Sequence, residues 1–317
     1  MNNLPDITIV IPTLDRPKRL LKAIQSIHDQ NYLGEIKCVV VDSSKDDSSK
    51  KEIDNAIFKN SNFEIKYIKN NESRRPIDNW IVGIEELNTP FGKFLCDDDW
   101  LDKNYLNICI EQLIKNNVDC VITDINVIKE KGNNVLNYYQ VKEGLVNKNE
   151  VVESFLGLSS ILPVTPTAGL FRTNVLKDSF YESLKHIECS ERLFGFDFFM
   201  SYYPVFLSDG TFLVSESLSS SLAGNDSMTL NVKKAMISYC YFFALINLIK
   251  MGKLSITKEQ EKVIRHKLAT FELKSKFSKK YKKLKIDHVY KPKLDLKKLL
   301  ISQVKKYYLK VYYSINR

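Results

Sequence analysis

No Cys-x-x-Cys pair occurs in this chain, and its six cysteines (Cys38, Cys96, Cys109, Cys120, Cys189 and Cys240) are scattered along it. That excludes a zinc ribbon or a disulfide framework and fits a reducing, cytoplasmic compartment. The four histidines are equally dispersed and form no His-Glu-x-x-His motif, so no histidine-based metal centre is expected. Glycine is sparse, and neither Gly-x-Gly-x-x-Gly nor Gly-Lys-Ser/Thr is present. A nest of backbone amides around a phosphate is therefore excluded; a phosphate here has to be held by side chains and a metal. The most apolar run, residues 235–249, falls short of the about 20 residues that span a bilayer and contains Asn247, so a buried or interfacial helix is expected. No secretory leader is expected either, because the N-terminus runs directly into a strand-like segment.

What is present is an ordinary globular composition, 44% hydrophobic and 27% charged over 317 residues, enough for one large domain with an appendage. The net charge of +9 conceals a division. Residues 228–317 hold 23 Lys/Arg against 5 Asp/Glu, and the remainder holds 24 against 33. An acidic front carrying a basic tail suggests different partners for the two parts. The reading divides the chain into an α/β domain, 1–220, and a helical, Lys-rich region, 221–317.

The chain is organised around Phe94-Leu95-Cys96-Asp97-Asp98-Asp99-Trp100-Leu101, an apolar run ending in three adjacent carboxylates. Adjacent acids repel unless a cation neutralises them, and hard cations such as Mg²⁺ or Mn²⁺ favour oxygen ligands. Before this stretch, apolar runs at residues 7–13, 36–41 and 63–68 alternate with helical patterns at 17–30 and 76–87. Strands alternating with helices predict a parallel sheet in an α/β layered fold. Parallel strands point their C-terminal ends one way, so Thr13/Asp15, Asp42 and Asp97 to Asp99 are expected to converge at one sheet edge, where such folds bind ligands. Downstream, a helix is expected at 102–115, a strand at 119–128, and a hairpin-like excursion at 129–147. A proline-broken edge strand or pocket wall is expected at 162–171, and a mobile Ser-rich linker at 215–227. Asp197, a lone acid in the aromatic run 194–200, reads either as a helix cap or as a carboxylate tuned by an apolar pocket toward base chemistry. Residues 296–312 form a basic amphipathic pattern that either lies on an anionic membrane surface or packs as a solvated helix. Nucleic acid is a poor partner for the acidic front.

Three motifs together resemble a family 2 glycosyltransferase of the bacterial surface-polysaccharide type: Ile9-Val10-Ile11-Pro12-Thr13-Leu14-Asp15-Arg16, Val39-Val40-Val41-Asp42-Ser43-Ser44, and the acid triplet in its strand. The resemblance covers residues 7–210. It implies the GT-A fold, a Rossmann-like nucleotide-diphospho-sugar transferase sandwich, here with a C-terminal helical basic extension. It also implies a metal-dependent, inverting transfer from a nucleotide-diphospho-sugar donor, by family habit a UDP-sugar, to a glycan or lipid-linked glycan, at the cytoplasmic face of the membrane. Carried over by position, Pro12, Thr13, Asp15 and Asp42 hold the nucleobase and ribose, with Arg74, Arg75 and Asn79 at the base or a phosphate. Asp97 meets the ribose, Asp98 and Asp99 hold Mn²⁺ or Mg²⁺, and Asp197 is the general base. Phe196 stands where relatives carry a Glu before that base, and Cys96 where many carry a further acid. The rival readings are a sugar nucleotidyltransferase and a non-catalytic nucleotide-sugar or glycan-binding protein.

Overall fold

The computed structural model describes residues 4–129, 135–137, 139, 141–159, 162–186, 195–208, 210–223, 234–277 and 291–295. It divides into two compact units, Met1–Leu254 and Ser255–Arg317.

The first unit is built on β1 (Ile7–Thr13), whose β-branched residues are buried almost throughout. A strand apolar on both faces has to lie inside a covered sheet. β1 pairs in parallel with β2 (Ile36–Asp42) on one side and β4 (Phe91–Phe94) on the other. β2 pairs in parallel with β3 (Phe63–Lys69), whose alternating pattern suits its half-exposed edge position. The connecting helices α1 (Pro17–His28), α2 (Ser48–Asn55) and α3 (Pro76–Glu85) follow the strand-helix alternation of the sequence. Both α1 and α3 start with proline in the first turn, where the missing N–H costs nothing. The parallel sheet expected from sequence is thus seen in these four strands.

Beyond β4 the sheet is mixed, in the order β3-β2-β1-β4-β9-β6-β10-β5. β5 is Asp99–Leu101, β6 is Cys120–Lys129, β9 is Gly169–Arg172 and β10 is Thr211–Ala223. The short strands β7 (Val135–Asn137) and β8 (Gly144–Leu145) pair with β6 and β10. β9 lies inside the sheet, antiparallel to both β4 and β6, and not at its edge. Pro163 and Pro166 both precede it, Pro166 opening a short 3-10 turn at Pro166–Ala168, so they remove no ladder hydrogen bond. The Ser-rich segment also departs from expectation. Residues 215–223 belong to β10, which runs parallel to β6 with two irregularities and antiparallel to β5. Serine has little strand preference of its own, and backbone pairing on both sides overrides it.

Helices cover both faces. On one, α1 packs with α4 (Tyr105–Lys115) through Leu20, Ile24, Ile27, Leu106 and Leu113 over Ile9 and Val40. On the other, Trp80 of α3 stacks on Phe94 of β4 at 4.3 Å. Phe180 of α6 (Thr173–His186) and Phe196 of α7 (Phe196–Ser208) extend that aromatic layer. Gly83 lets α3 approach β1: a Cβ there would lie 2.3 Å from Val10 Cγ1. α5 (Lys148–Leu156) begins with an Asn147/Glu150 capping box and ends at left-handed Gly157. α8 (Lys234–Lys250) completes the unit.

In the second unit, α9 (Lys258–Phe277) starts with a reciprocal Thr257/Gln260 cap. Residues 291–295 lie along it, with Lys293 N–H donating to Arg265 O at 3.1 Å. The basic helical pattern at 296–312 lies outside the described residues. Among the described residues, no helix is long and apolar enough to cross a membrane.

Candidate active site

The strand ends meet as the parallel topology requires. Thr13 ends β1 opposite Asp42 at the end of β2. Its hydroxyl donates to Asp97 Oδ2 at 2.8 Å, across to the segment that follows β4. After Phe94 the chain makes a turn closed by Asp99 N–H donating to Cys96 O at 3.1 Å. That turn presents Cys96, Asp97, Asp98 and Asp99 together.

Arg16 bridges the first two acids. Its Nη1 lies 3.1 Å from Asp97 Oδ1 and 3.2 Å from Asp98 Oδ2. The following Pro17 disfavours helical backbone at Arg16, which precedes α1 with φ −134°. Burial pushes the Asp97 carboxyl up to about 6, with the Arg16 charge opposing. Asp99 is 3% exposed. Burial, then the charge of Asp98, push it up to about 7. Its Oδ2 accepts from the Thr167 hydroxyl, and the Ser221 hydroxyl and Leu222 N–H of β10 also donate to the carboxylate. Thr167 sits in the 3-10 turn before β9, so this turn forms a wall of the site. Its carbonyl accepts from Lys93 Nζ at 2.7 Å, and that ammonium lies 4.5 Å above the Tyr105 ring. Lys93 is fully buried, which lowers its pKa to about 7.

The two neighbouring loops are tied to the same edge. Asp42 is fully buried. Its Oδ1 accepts from Ser44 N–H at 2.7 Å and from the Ser44 hydroxyl, and its Oδ2 from Tyr67 OH at 2.6 Å. Asn79 is buried on α3, where Nδ2 donates to Thr13 O at 3.0 Å and Ser43 Oγ at 2.9 Å. It therefore locks the β1 and β2 ends together. Asp15 adopts φ +55°, a left-handed conformation that Asp tolerates better than most residues. It pairs with Arg74 at 2.5 Å, linking the loop after β1 to the loop after β3. Arg75 is paired instead with Asp78 at 2.8 Å on the exposed start of α3. Pro12 lies in β1 opposite Val41.

Asp197 lies in the first turn of α7. Oδ1 accepts from Gly195 N–H at 3.1 Å and Phe198 N–H at 3.0 Å, and Oδ2 from Tyr241 OH of α8 at 2.8 Å. Burial raises its pKa to about 6, with the Tyr241 bond the main opposing influence. Its neighbour Phe196 packs edge-on against Trp80, the residue that stacks on β4. It bonds amides at a helix start, as the capping reading of the sequence expects. Arg16, Lys93, Thr167 and Tyr241 complete these contacts, and the sequence does not single them out as site residues. A lysine in the strand Phe91-Gly92-Lys93-Phe94 is the one legible signal, since a buried ammonium there needs an oxygen partner.

Cys96, Asp98 and Asp99 each offer a ligand atom, all within 4.8 Å of one another. The two carboxylates of this set are oxygen donors of the kind a divalent cation takes.

A parallel four-strand half continued by mixed strands, with an acid cluster at its C-terminal edge and helices on both faces, defines the GT-A class of fold. The family model for glycosyl transferase family 2 matches residues 8–180, and the chain belongs to that family. Among solved structures it is similar to S. aureus TarS residues 1–349 in complex with UDP, at TM-score 0.58 and 15% identity, covering 89% of this chain and 76% of that one. The UDP-GlcNAc complex of the same protein gives TM-score 0.55 at 13% identity, covering 87% and 74%. At such identities the likeness speaks for the fold. The GalNAc(5)-diNAcBac-PP-undecaprenol beta-1,3-glucosyltransferase of Campylobacter jejuni is 29% identical over 34% of this chain. The teichoic acid poly(glycerol phosphate) polymerase of Staphylococcus epidermidis is 25% identical over 61% of it. The chain spans 35% and 24% of the lengths of these two curated relatives.

Proposed function

We propose that this chain is a metal-dependent, inverting glycosyltransferase that moves a sugar from a nucleotide-diphospho-sugar, with UDP as the favoured nucleotide, to a glycan or lipid-linked glycan. The observation that carries the reading is the junction of strand ends, where Thr13 bonds Asp97 and Arg16 joins Asp97 to Asp98. The donor types in the TarS titles and the lipid-linked substrate named for the Campylobacter enzyme support the choice of partners.

In this reading Pro12, Thr13, Asp15 and Asp42 shape the nucleoside pocket, which Asn79 braces and the Asp15–Arg74 pair borders. Arg74 and Arg75 supply cationic groups for the base or a phosphate. Asp97 meets the ribose. Asp98 and Asp99 would hold Mn²⁺ or Mg²⁺, which would supply Lewis-acid stabilisation for a leaving diphosphate. Asp197 takes the proton of the acceptor hydroxyl as the new bond forms on the face opposite the leaving group. One base suffices for a single displacement, so the anomeric centre inverts.

Turnover of nucleotide sugars by the purified chain with Mn²⁺ tests this. Release of nucleoside diphosphate, lost in Asp98→Ala, is the expected result. Release of pyrophosphate identifies a nucleotidyltransferase instead, and donor binding without any turnover identifies a binding protein.

A further inference from the structure

Lys93 is a buried charge that the proposed reaction does not use. It is fully enclosed in β4, and burying an ammonium is costly unless oxygen partners compensate. Its Nζ donates to the Thr167 carbonyl at 2.7 Å. Tyr105 of α4, whose ring lies 4.5 Å from that ammonium, donates to the next carbonyl, Ala168 O, at 3.1 Å. Two adjoining donors thus hold two consecutive carbonyls of the 3-10 turn. Thr167, Ala168 and Tyr105 are all closed off from solvent, so bulk water cannot replace these bonds, and a buried carbonyl left without a donor is destabilising.

What the turn presents is the Thr167 hydroxyl. The antiparallel register of β4 and β9 pairs Phe91 with Arg172 and Gly92 with Phe171; continued past both strands, it sets Cys96 opposite Thr167. The hydroxyl lies 3.5 Å from the Cys96 amide nitrogen and donates to Asp99 Oδ2. Asp99 is therefore gripped from two elements, by Ser221 and Leu222 of β10 and by the turn. Only the grip of the turn runs back to Lys93: ammonium to carbonyl, then hydroxyl to carboxylate.

We infer that Lys93, with Tyr105, is a positioning residue for the donor site: the pair pins the turn so that the Thr167 hydroxyl fixes the Asp99 carboxylate in the orientation that donor binding requires. This rests on the reading above, in which the acid cluster takes the donor, and names what holds one of its carboxylates in place.

The test is calorimetric titration of UDP into the full chain in the presence of Mn²⁺, with thermal melting of each variant to confirm folding. Lys93→Met keeps the aliphatic stem and removes the ammonium; UDP should bind about 10- to 100-fold more weakly, as when a group that orients a ligating carboxylate is lost. Thr167→Val, which removes the hydroxyl at similar volume, should weaken UDP to a comparable degree, and Thr167→Ser, which keeps the hydroxyl, should recover most of that loss. The double variant decides the route. Where Lys93 acts through Thr167, adding Lys93→Met to Thr167→Val weakens UDP no further, whereas a general loss of packing adds in full. Tyr105→Phe, which takes away one hydroxyl, should show the same non-additive pattern and stands in where Lys93→Met does not fold. UDP affinity unchanged in Lys93→Met, or in Tyr105→Phe where it stands in, overturns the positioning role and leaves the donor reading intact; so do losses that add to that of Thr167→Val. No binding of UDP by the wild type overturns both.

Discussion

At the scale of single residues, the proposed chemistry depends on carboxylates held where water is scarce. Burial disfavours the charged form, so Asp197 titrates near 6 rather than near the usual carboxylate value of about 4. A group whose folded pKa is raised supports the fold below about pH 4 and loses that contribution as pH rises through about 6. The proton-accepting form is therefore gained as that contribution to stability is lost. In the proposed role, turnover should fall below an acid limb near pH 6. Asp197→Asn should reduce turnover by about 10²–10⁴-fold while sparing donor binding. Tyr241→Phe removes the donor to Oδ2 that holds the pKa down, so the acid limb should move to higher pH. A pH–rate profile checks both. An acid limb unmoved in Tyr241→Phe, or donor binding lost in Asp197→Asn, takes Asp197 out of the base role. Asp197 and the triplet are conspicuous in the sequence because acids in apolar runs are unusual. Arg16 and Thr167 are not conspicuous, because a turn arginine and a threonine between prolines reveal nothing of the partners that tertiary folding brings to them.

At the scale of elements, sequence periodicity fixes what is local and loses what is paired at long range. β1, α1, β2, β3 and α3 are legible because each buries an apolar face with its own period and is bounded by proline or polar turns. β10 is not legible as a strand past Val214, because its serines take their conformation from β6 and β5, about 90 and 120 residues earlier. β9 is hidden by the prolines just ahead of it, although it ends up between two strands. The close approach of α3 to β1 carries a prediction of its own. Gly83→Ala places a methyl group 2.3 Å from Val10 Cγ1, and such overpacking costs about 1–3 kcal/mol. Asn79, one helical turn earlier, should shift with the helix and loosen its bonds to Thr13 O and Ser43 Oγ. The denaturation midpoint should fall and donor affinity should weaken; an unchanged midpoint shows that the helix accommodates the methyl without displacement.

At the scale of the whole molecule, the charge division carries the argument. The acidic front contains the candidate site, and residues 228–317 hold 23 of the 47 basic residues. A lipid-linked acceptor is reached at a membrane surface, and anionic lipid attracts clustered Lys at about 1 kcal/mol each close to the surface. The full chain should therefore sediment with anionic vesicles at low salt. Binding should fall as salt shortens the electrostatic range, and it should vanish on deletion of residues 274–317. Equal sedimentation with neutral vesicles, or no change on deletion, means that the tail serves another purpose.

The proposed function requires one acid cluster, gathered by strand ends, to hold both a cation and the diphosphate of a donor. Calorimetric titration of UDP into the metal-free protein, with and without Mn²⁺, tests it most directly. UDP should bind tightly only with Mn²⁺ in the wild type, and the Mn²⁺-dependent gain should disappear in Asp98→Ala. Equal UDP affinity with and without Mn²⁺, or a gain that persists in Asp98→Ala, would contradict it.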